Sequence, residues 1–369
     1  MNIAKSFYLT SIFIRYYSYF LLVPILSILF TDSNFGSMNQ SKNLIQAYPF
    51  MLSSLLTFFS SVIVKKFSYS ESIQNDELGR KDGFLIASIV WIFAGIFGAL
   101  PYIFSSLLLP FQDTINLVPI FENNIIINSF FESVSGITTT GASVFTNFPS
   151  LEDHSMLIFW RSLTQWLGGI GIILLVLIIF PRISVGIMQI ASDQEGTGPQ
   201  KERITPRLYQ TGITLLVIYA VITLILFFLL FFIGDLNSFD SIVHSFSTVS
   251  SGGFSSYPLS IETLNNFSVE MIILFFMFLS GISFAIFYFV ITGNLQKIWE
   301  NSEFKTFVLF NILLVFSLVL ILQNQYNFET IIDSFRYGSF QALSISTGTG
   351  FTTYNFDQWP SHAKILLLI

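Results

Sequence analysis

Three short segments of this sequence consist almost wholly of Thr, Ser and Gly: Thr138–Gly141 (TTTG), Ser250–Gly253 (SSGG) and Thr347–Gly350 (TGTG). The residues are Thr138, Thr139, Thr140 and Gly141, then Ser250, Ser251, Gly252 and Gly253, then Thr347, Gly348, Thr349 and Gly350. A cation gives up its water shell only where other oxygens replace it, and a ring of backbone carbonyls does so for potassium. Successive carbonyls turn to one side only if the backbone visits conformations that bulky and β-branched residues avoid, and glycine reaches these at no steric cost. Thr and Ser add a hydroxyl that can serve as a further oxygen. None of the three segments holds a carboxylate, whereas acidic rings mark other cation filters. The residue types therefore point to potassium. A single Gly/Thr segment is weak, because such turns are common; the force lies in the repetition.

The segments sit in a longer pattern that recurs three times without gaps: 128–143 (NSFFESVSGITTTGAS), 240–255 (DSIVHSFSTVSSGGFS) and 337–352 (YGSFQALSISTGTGFT). Ser135, Ser247 and Ser344 coincide, as do Gly141, Gly253 and Gly350, and Glu132, His244 and Gln341. The glycines are 112 and 97 residues apart, the period of a whole structural unit. A short helix before each segment would aim its partially negative C-terminal end at the loop. Asp240 and Asn128 are expected to cap two of these helices, with the start of the third near Asp333–Ser334.

Elements long enough to hold such loops are abundant. The 369 residues are 53% hydrophobic and 10% charged, against about 25% charged in soluble domains. Apolar blocks predict spanning helices at Ser11–Phe30, Ala47–Val64, Phe84–Leu109, Met156–Phe180, Leu208–Ile233, Val269–Thr292 and Phe304–Leu322, with an eighth starting near Ala363. Ile125–Thr138 is too short to span, so it must enter and leave on one side; such backbone survives only inside protein or beside a watery cavity. Lys5, Arg15, Lys65, Lys66, Arg80, Lys81, Arg182, Lys201, Arg203, Arg207, Lys297 and Lys305 make twelve of the sixteen basic residues, and they fall on one set of loops. By the positive-inside rule the N-terminus and these loops are cytoplasmic, and the acidic loops face outward. No cleaved signal peptide is expected. The chain has no cysteine, which excludes disulfides and thiolate metal sites, and His154, His244 and His362 are far apart in sequence. The expected architecture is an all-α polytopic membrane protein of repeated helix–pore loop–helix units. It divides into two N-terminal helices with a cytoplasmic loop (1–83), a first repeat (84–205), a second (206–303) and an incomplete third (304–369).

These stretches, together with 160–173 (WRSLTQWLGGIGII), resemble the Trk/Ktr/HKT superfamily of potassium transporters. The two extra helices before the first repeat resemble its TrkH-type membrane subunit, and the likeness covers essentially the whole chain. The resemblance implies a pseudo-fourfold pore of four repeats in one polypeptide of the inner membrane, taking up potassium and gated from the cytoplasm. It implies potassium held at Thr139, Thr140, Ser251, Gly252, Gly348 and Thr349, with no organic cofactor. It also implies a homodimer and a cytoplasmic nucleotide-binding regulatory subunit of the TrkA type. Only three filter segments occur here, so a C-terminally truncated sequence is expected, with the fourth repeat and the family's gate beyond Ile369. Gly348 and Ser251 stand where the family usually has Thr, and the extra glycine is expected to loosen its quarter of the ring.

Other readings compete at single residues. Arg161 reads as an interfacial anchor snorkelling or pairing with Glu152 or Asp153, and alternatively as an electrostatic element at a pore mouth. Gly168, Gly169 and Gly171 read as close helix packing rather than a hinge. Glu132 either braces the filter or caps its own helix. His244 with Ser247 could suggest a hydrolytic pair, but Glu132 and Gln341 occupy the aligned positions, so the site follows the repeat. No converging ionisable residues support an enzyme, and nothing suggests nucleic acid as a partner; the lipid bilayer is one. A sodium-permeable relative would replace a filter glycine, yet all three are retained. A non-conducting subunit remains the other alternative, and potential-driven uptake and symport with protons or sodium both fit. The loop Ser184–Arg207 could contact a regulatory subunit or act as a plain linker.

Overall fold

The fold is known from a computed structural model that describes residues 3–30, 40–69, 80–108, 120–151, 154–171, 204–291, 293, 295–326, 328 and 330–368. Among these residues every regular element is helical. Five helices are long and apolar enough to cross a membrane: Ile3–Phe30, Asn43–Ser68, Lys81–Leu107, Ile213–Phe232 and Ser302–Asn324. The C-terminal end of the expected span Met156–Phe180, and all but the end of the loop Ser184–Arg207, lie outside the described residues.

The chain forms two compact units, one of Met1–Ile137 and Ser143–Val217, the other of Thr138–Ala142 and Ile218–Ile369. In the first unit, α1 (Ile3–Phe20), α2 (Gln40–Ser68) and α3 (Arg80–Leu108) pack against one another, and the short helix α4 (Ile125–Ile137) lies on α3. Helix α1 starts earlier than expected and continues as a 3-10 stretch, Val23–Phe30. Several buried hydroxyls are satisfied by a carbonyl of their own helix: Thr10 donates to Ser6 (2.9 Å), Ser53 to Pro49 (2.6 Å) and Thr57 to Ser53 (2.7 Å). Small residues let the helices close up. A Cβ on Gly98 would lie 2.5 Å from Ser133 Oγ and 2.7 Å from Tyr17 Oη. Across this seam Ser133 Oγ donates to the Gly95 carbonyl (2.8 Å) and Trp160 Nε1 to that of Gly98 (3.2 Å), where Trp160 belongs to α5 (154–171). On the same helix, Gly171 comes within ordinary contact of Trp91.

Helix α6 (Ile204–Phe232) runs from one unit's residues into the other's. The second unit adds the short helix α7 (Ser238–Val249), then α8 (Phe267–Ser280), α9 (Phe284–Ile291) and α10 (Leu295–Glu300). It ends with α11 (Ser302–Ile321), the short helix α12 (Ile331–Ser346) and α13 (Ser361–Leu368). Helix α8 packs on α7 and α12, and α11 packs on α12 and α13. Leu314, Leu318 and Leu322 meet Ala342, Trp359, Ala363 and Leu367 in a continuous apolar core. One expected span differs. Val269–Thr292 is two helices, broken at Gly281–Ser283. No proline or positive φ forces the break; a Cβ on Gly281 would lie 2.9 Å from Thr347 Cγ2 and 2.8 Å from Phe307 Cζ, so α8 ends where it meets other chain.

Candidate functional site

Each Thr/Ser/Gly segment follows directly on a short helix: α4, α7 and α12 are 13, 12 and 16 residues long, too short to cross a bilayer. The expected caps are displaced. Asn128 lies within α4, its Nδ2 donating to the Asn123 carbonyl at 2.9 Å. The cap of α7 is Asn237, whose Oδ1 accepts from the Asp240 amide at 2.7 Å. The cap of α12 is Thr330, which accepts from the Asp333 amide at 3.1 Å. A capping oxygen must reach an amide two or three residues on, so the residue that caps sits outside the first turn. Asp240, three residues in, is free for another task.

The three loops share one backbone path. The second residue of each is left-handed: Thr139 at φ 56°, Ser251 at 52° and Gly348 at 74°. The fourth is left-handed again: Gly141 at 75°, Gly253 at 76° and Gly350 at 82°. A non-glycine residue held there loses roughly 1–2 kcal/mol, and this strain recurs at matching positions in the first two loops. Gly348 occupies the strained second position without that cost, and no atom lies within 4 Å of a Cβ built on it. The loops also fold back alike on their helices: the Gly253 amide donates to Ser247 O (3.4 Å), and that of Gly350 to Ser344 O (3.2 Å). Two loops brace themselves through hydroxyls, Thr138 Oγ1 with Thr140 Oγ1 and Thr347 Oγ1 with Thr349 Oγ1, both at 2.8 Å.

All twelve expected filter residues fall in one compact unit, since Thr138–Ala142 belongs with Ile218–Ile369. Two of the loops touch. A Cβ on Gly253 would lie 1.8 Å from the Thr349 carbonyl oxygen. Only glycine allows a carbonyl of the third loop to come against the backbone of the second.

In two of the three copies the chain leaving the loop is held by the preceding helix at aligned positions. Glu132 Oε1 accepts from Ser143 Oγ and from the Val144 amide, both at 2.6 Å. In the second copy His244 Nε2 pairs with Ser255 Oγ at 3.1 Å, and Nδ1 with the Asp240 carbonyl at 2.8 Å. Glu132 thus holds the chain leaving the first loop rather than capping its helix, and His244 is engaged in the same way in the second copy. Asp240 accepts from Ser256 Oγ (2.5 Å), Tyr257 Oη (2.6 Å) and Asn237 Nδ2 (2.8 Å). Burial, then the neighbouring Asp240 carboxylate, raises the Tyr257 phenol, which keeps its proton and donates.

Arg161 is not a snorkelling anchor. It is 2% exposed, with Nε 3.6 Å from Glu132 Oε2 and its guanidinium over the Phe145 and Phe148 rings at 4.6 and 5.6 Å. Glu152 and Asp153, its expected partners, lie outside the described residues; Glu132 is a buried acid that needs a nearby cation. Two further polar contacts escaped the sequence reading. Arg336 on α12 clamps Glu270 on α8 through Nε and Nη2, both at 2.6 Å. Asn311 on α11 accepts from Ser346 Oγ at 2.6 Å, just ahead of the third loop. A lone Asn inside an apolar span was the available signal for the second.

The chain is similar to known transport proteins over most of its length. The family model described as TrkH, cation transport protein, matches residues 52–369. The Trk system potassium uptake protein TrkH of Escherichia coli strain K12 is 36% identical over 299 residues, 80% of this chain and 58% of that protein. The TrkH of Salmonella typhimurium is 35% identical over 297 residues, with the same shares. The crystal structure of the potassium transporter TrkH from Vibrio parahaemolyticus superimposes with a TM-score of 0.78 at 26% identity, covering 100% of this chain and 69% of that one. The chain therefore spans about 58% of the length of these curated relatives.

Proposed function

The chain belongs to the TrkH family of cation transport proteins, and on that premise we propose that its three loops form part of a backbone-carbonyl filter for potassium uptake. The observation that carries this reading is the shared path of the loops: left-handed at the second and fourth residues in each, with Gly253 set against the Thr349 carbonyl. A left-handed residue following a right-handed one, as Ser251 follows Ser250 (φ −81°, ψ −4°) and Gly348 follows Thr347 (φ −90°, ψ −8°), reverses the turn of successive peptide planes, which lets adjacent carbonyls face one side. The carbonyls of Thr139, Thr140, Ser251, Gly252, Gly348 and Thr349 are the potassium ligands in this reading. The ion is cargo, and the absence of acidic side chains in the loops favours it over more strongly hydrated cations.

The short helices α4, α7 and α12 end at the loops, so their partially negative C-termini lower the energy of a cation there. The repeats are 84–205, 206–303 and 304–369, preceded by the two helices of 1–83 and arranged pseudo-fourfold about the ion path. The protein sits in the inner membrane with its N-terminus in the cytoplasm, in keeping with the basic loops. A homodimer and a TrkA-type nucleotide-binding subunit are the expected partners, gating from the cytoplasm.

The test is growth of a potassium-uptake-deficient bacterium at low potassium, expressing the gene's whole reading frame together with its regulatory subunit. Rescue that is lost or becomes sodium-sensitive with Gly253→Ser supports the filter. A membrane-inserted wild type that takes up neither potassium nor rubidium overturns it.

A further inference from the structure

The second loop lacks a brace that the other two carry. In the first and third loops, the first and third residues are both Thr, and their hydroxyls pair at 2.8 Å. In the second loop the third residue is Gly252, so Ser250 has no such partner; its Oγ donates instead to the Phe246 carbonyl at 2.8 Å and to that of Ser247 at 3.2 Å, and it also pairs with the Tyr219 hydroxyl. Yet Ser251 is held left-handed at φ 52° without being glycine. Something must hold it there.

The hold comes from another helix. Ser251 Oγ donates to Ser280 Oγ at 2.9 Å, and Ser280 Oγ donates to the Met277 carbonyl at 2.9 Å. Ser280 is the last residue of α8, at the break before α9. Its neighbour Gly281 lies against the third loop, since a Cβ there would be 2.9 Å from Thr347 Cγ2. One short break thus meets two filter loops, through a hydroxyl relay on one and close packing on the other.

We propose that Ser280 is a positioning residue that sets the ion preference of the second loop, supplying from α8 the brace that Gly252 removes. The inference rests on the filter reading above. Ser280 reaches the loop only through the Ser251 side chain and touches no ion. The relay fixes which way the Ser251 side chain turns, and with it the planes of the two peptides flanking Ser251. Because the relay ends where α8 breaks, a shift of α8 against α9 would be felt at the filter first through this hydroxyl.

The experiment measures uptake of rubidium and of sodium, as tracers, into potassium-uptake-deficient cells carrying the intact protein with its regulatory subunit. Wild type, Ser280→Ala, Ser280→Thr, Ser251→Ala and the double Ser251→Ala/Ser280→Ala are compared at equal membrane content. A wild type without preference for rubidium over sodium defeats the filter reading itself. Given that preference, Ser280→Ala is expected to lower it roughly fivefold, the scale of one lost hydrogen bond, while Ser280→Thr, which keeps the hydroxyl, retains it. The double variant should be no worse than either single, because both remove the same bond. An unchanged preference in Ser280→Ala overturns the inference. So does a loss shared equally by Ser280→Thr, or losses that multiply in the double variant. Should Ser280→Ala fail to reach the membrane, Ser251→Ala carries the test, and an undiminished preference there overturns the inference as well.

Discussion

Replacing Gly253 by Ala puts two separable loads on the contact between the second and third loops, the proposed filter. The first is conformational: at φ 76° a Cβ costs roughly 1–2 kcal/mol whatever surrounds it. The second is a collision, because that Cβ would lie 1.8 Å from the Thr349 carbonyl oxygen. Contacts of this kind are essentially never under 3.0 Å, so the carbonyl and the added methyl must separate by at least about 1.2 Å (3.0 − 1.8). Neither side is a flexible side-chain end; both are backbone of adjoining loops. In a preorganised site a misplacement near 1 Å can cost about a hundredfold. Gly293 supplies the control, since its φ of 73° imposes the same strain while nothing lies within 4 Å of an added Cβ. Rubidium and sodium tracer uptake into potassium-uptake-deficient cells reads the outcome. Gly253→Ala should lower the rubidium-to-sodium ratio tenfold or more; Gly293→Ala should leave it unchanged. An intact ratio in Gly253→Ala, with the protein present in the membrane, would refute the argument. So would an equal loss in Gly293→Ala, which would trace the effect to strain alone.

Three further outcomes can be checked. Arg161→Leu strands the buried Glu132 carboxylate and should cost about 3–5 kcal/mol, seen as a lower thermal midpoint in detergent; adding Glu132→Gln should recover part of it, and no recovery would argue against the pairing. Gly348→Thr enters open space at a left-handed residue, so it should insert normally, lose roughly 1–2 kcal/mol and sharpen the rubidium-to-sodium ratio; a fall in the ratio would contradict the shared path of the loops. Arg336→Met breaks a two-point clamp on the buried Glu270 and should lower the thermal midpoint, whereas Glu270→Gln/Arg336→Met should lower it less; equal losses would assign the effect to packing of the long side chain.

What the sequence made legible was what repeats. Three gap-free copies exposed the loops and the short helices before them, because glycine at 141, 253 and 350 answers a demand of local backbone geometry. The aligned trio Glu132, His244 and Gln341 marked a common position, and in two copies that position does hold the outgoing chain. What was not legible was set by tertiary neighbours. Arg161 meets Glu132, 29 residues away in sequence (161 − 132), and no local pattern names that partner. The helix caps were misplaced because Asn237 and Thr330 lie upstream of the aligned block, where the copies no longer resemble one another. The break at Gly281–Ser283 was invisible to hydropathy, which averages across it; it coincides with a close approach to Thr347, 66 residues on (347 − 281).

The contact between Gly253 and the Thr349 carbonyl joins residues 96 positions apart (349 − 253). A nascent chain can therefore insert its first helices, and even its second short helix and loop, before the carbonyl that rests on Gly253 has been synthesised. Such non-local closure is slow and follows the local events. On the proposed filter reading, selectivity is then a property acquired late in biogenesis, after the spanning helices have entered the bilayer. Until then the second loop depends on its own backbone bonds and on α8, whose contact residue Ser280 follows Ser251 by 29 positions.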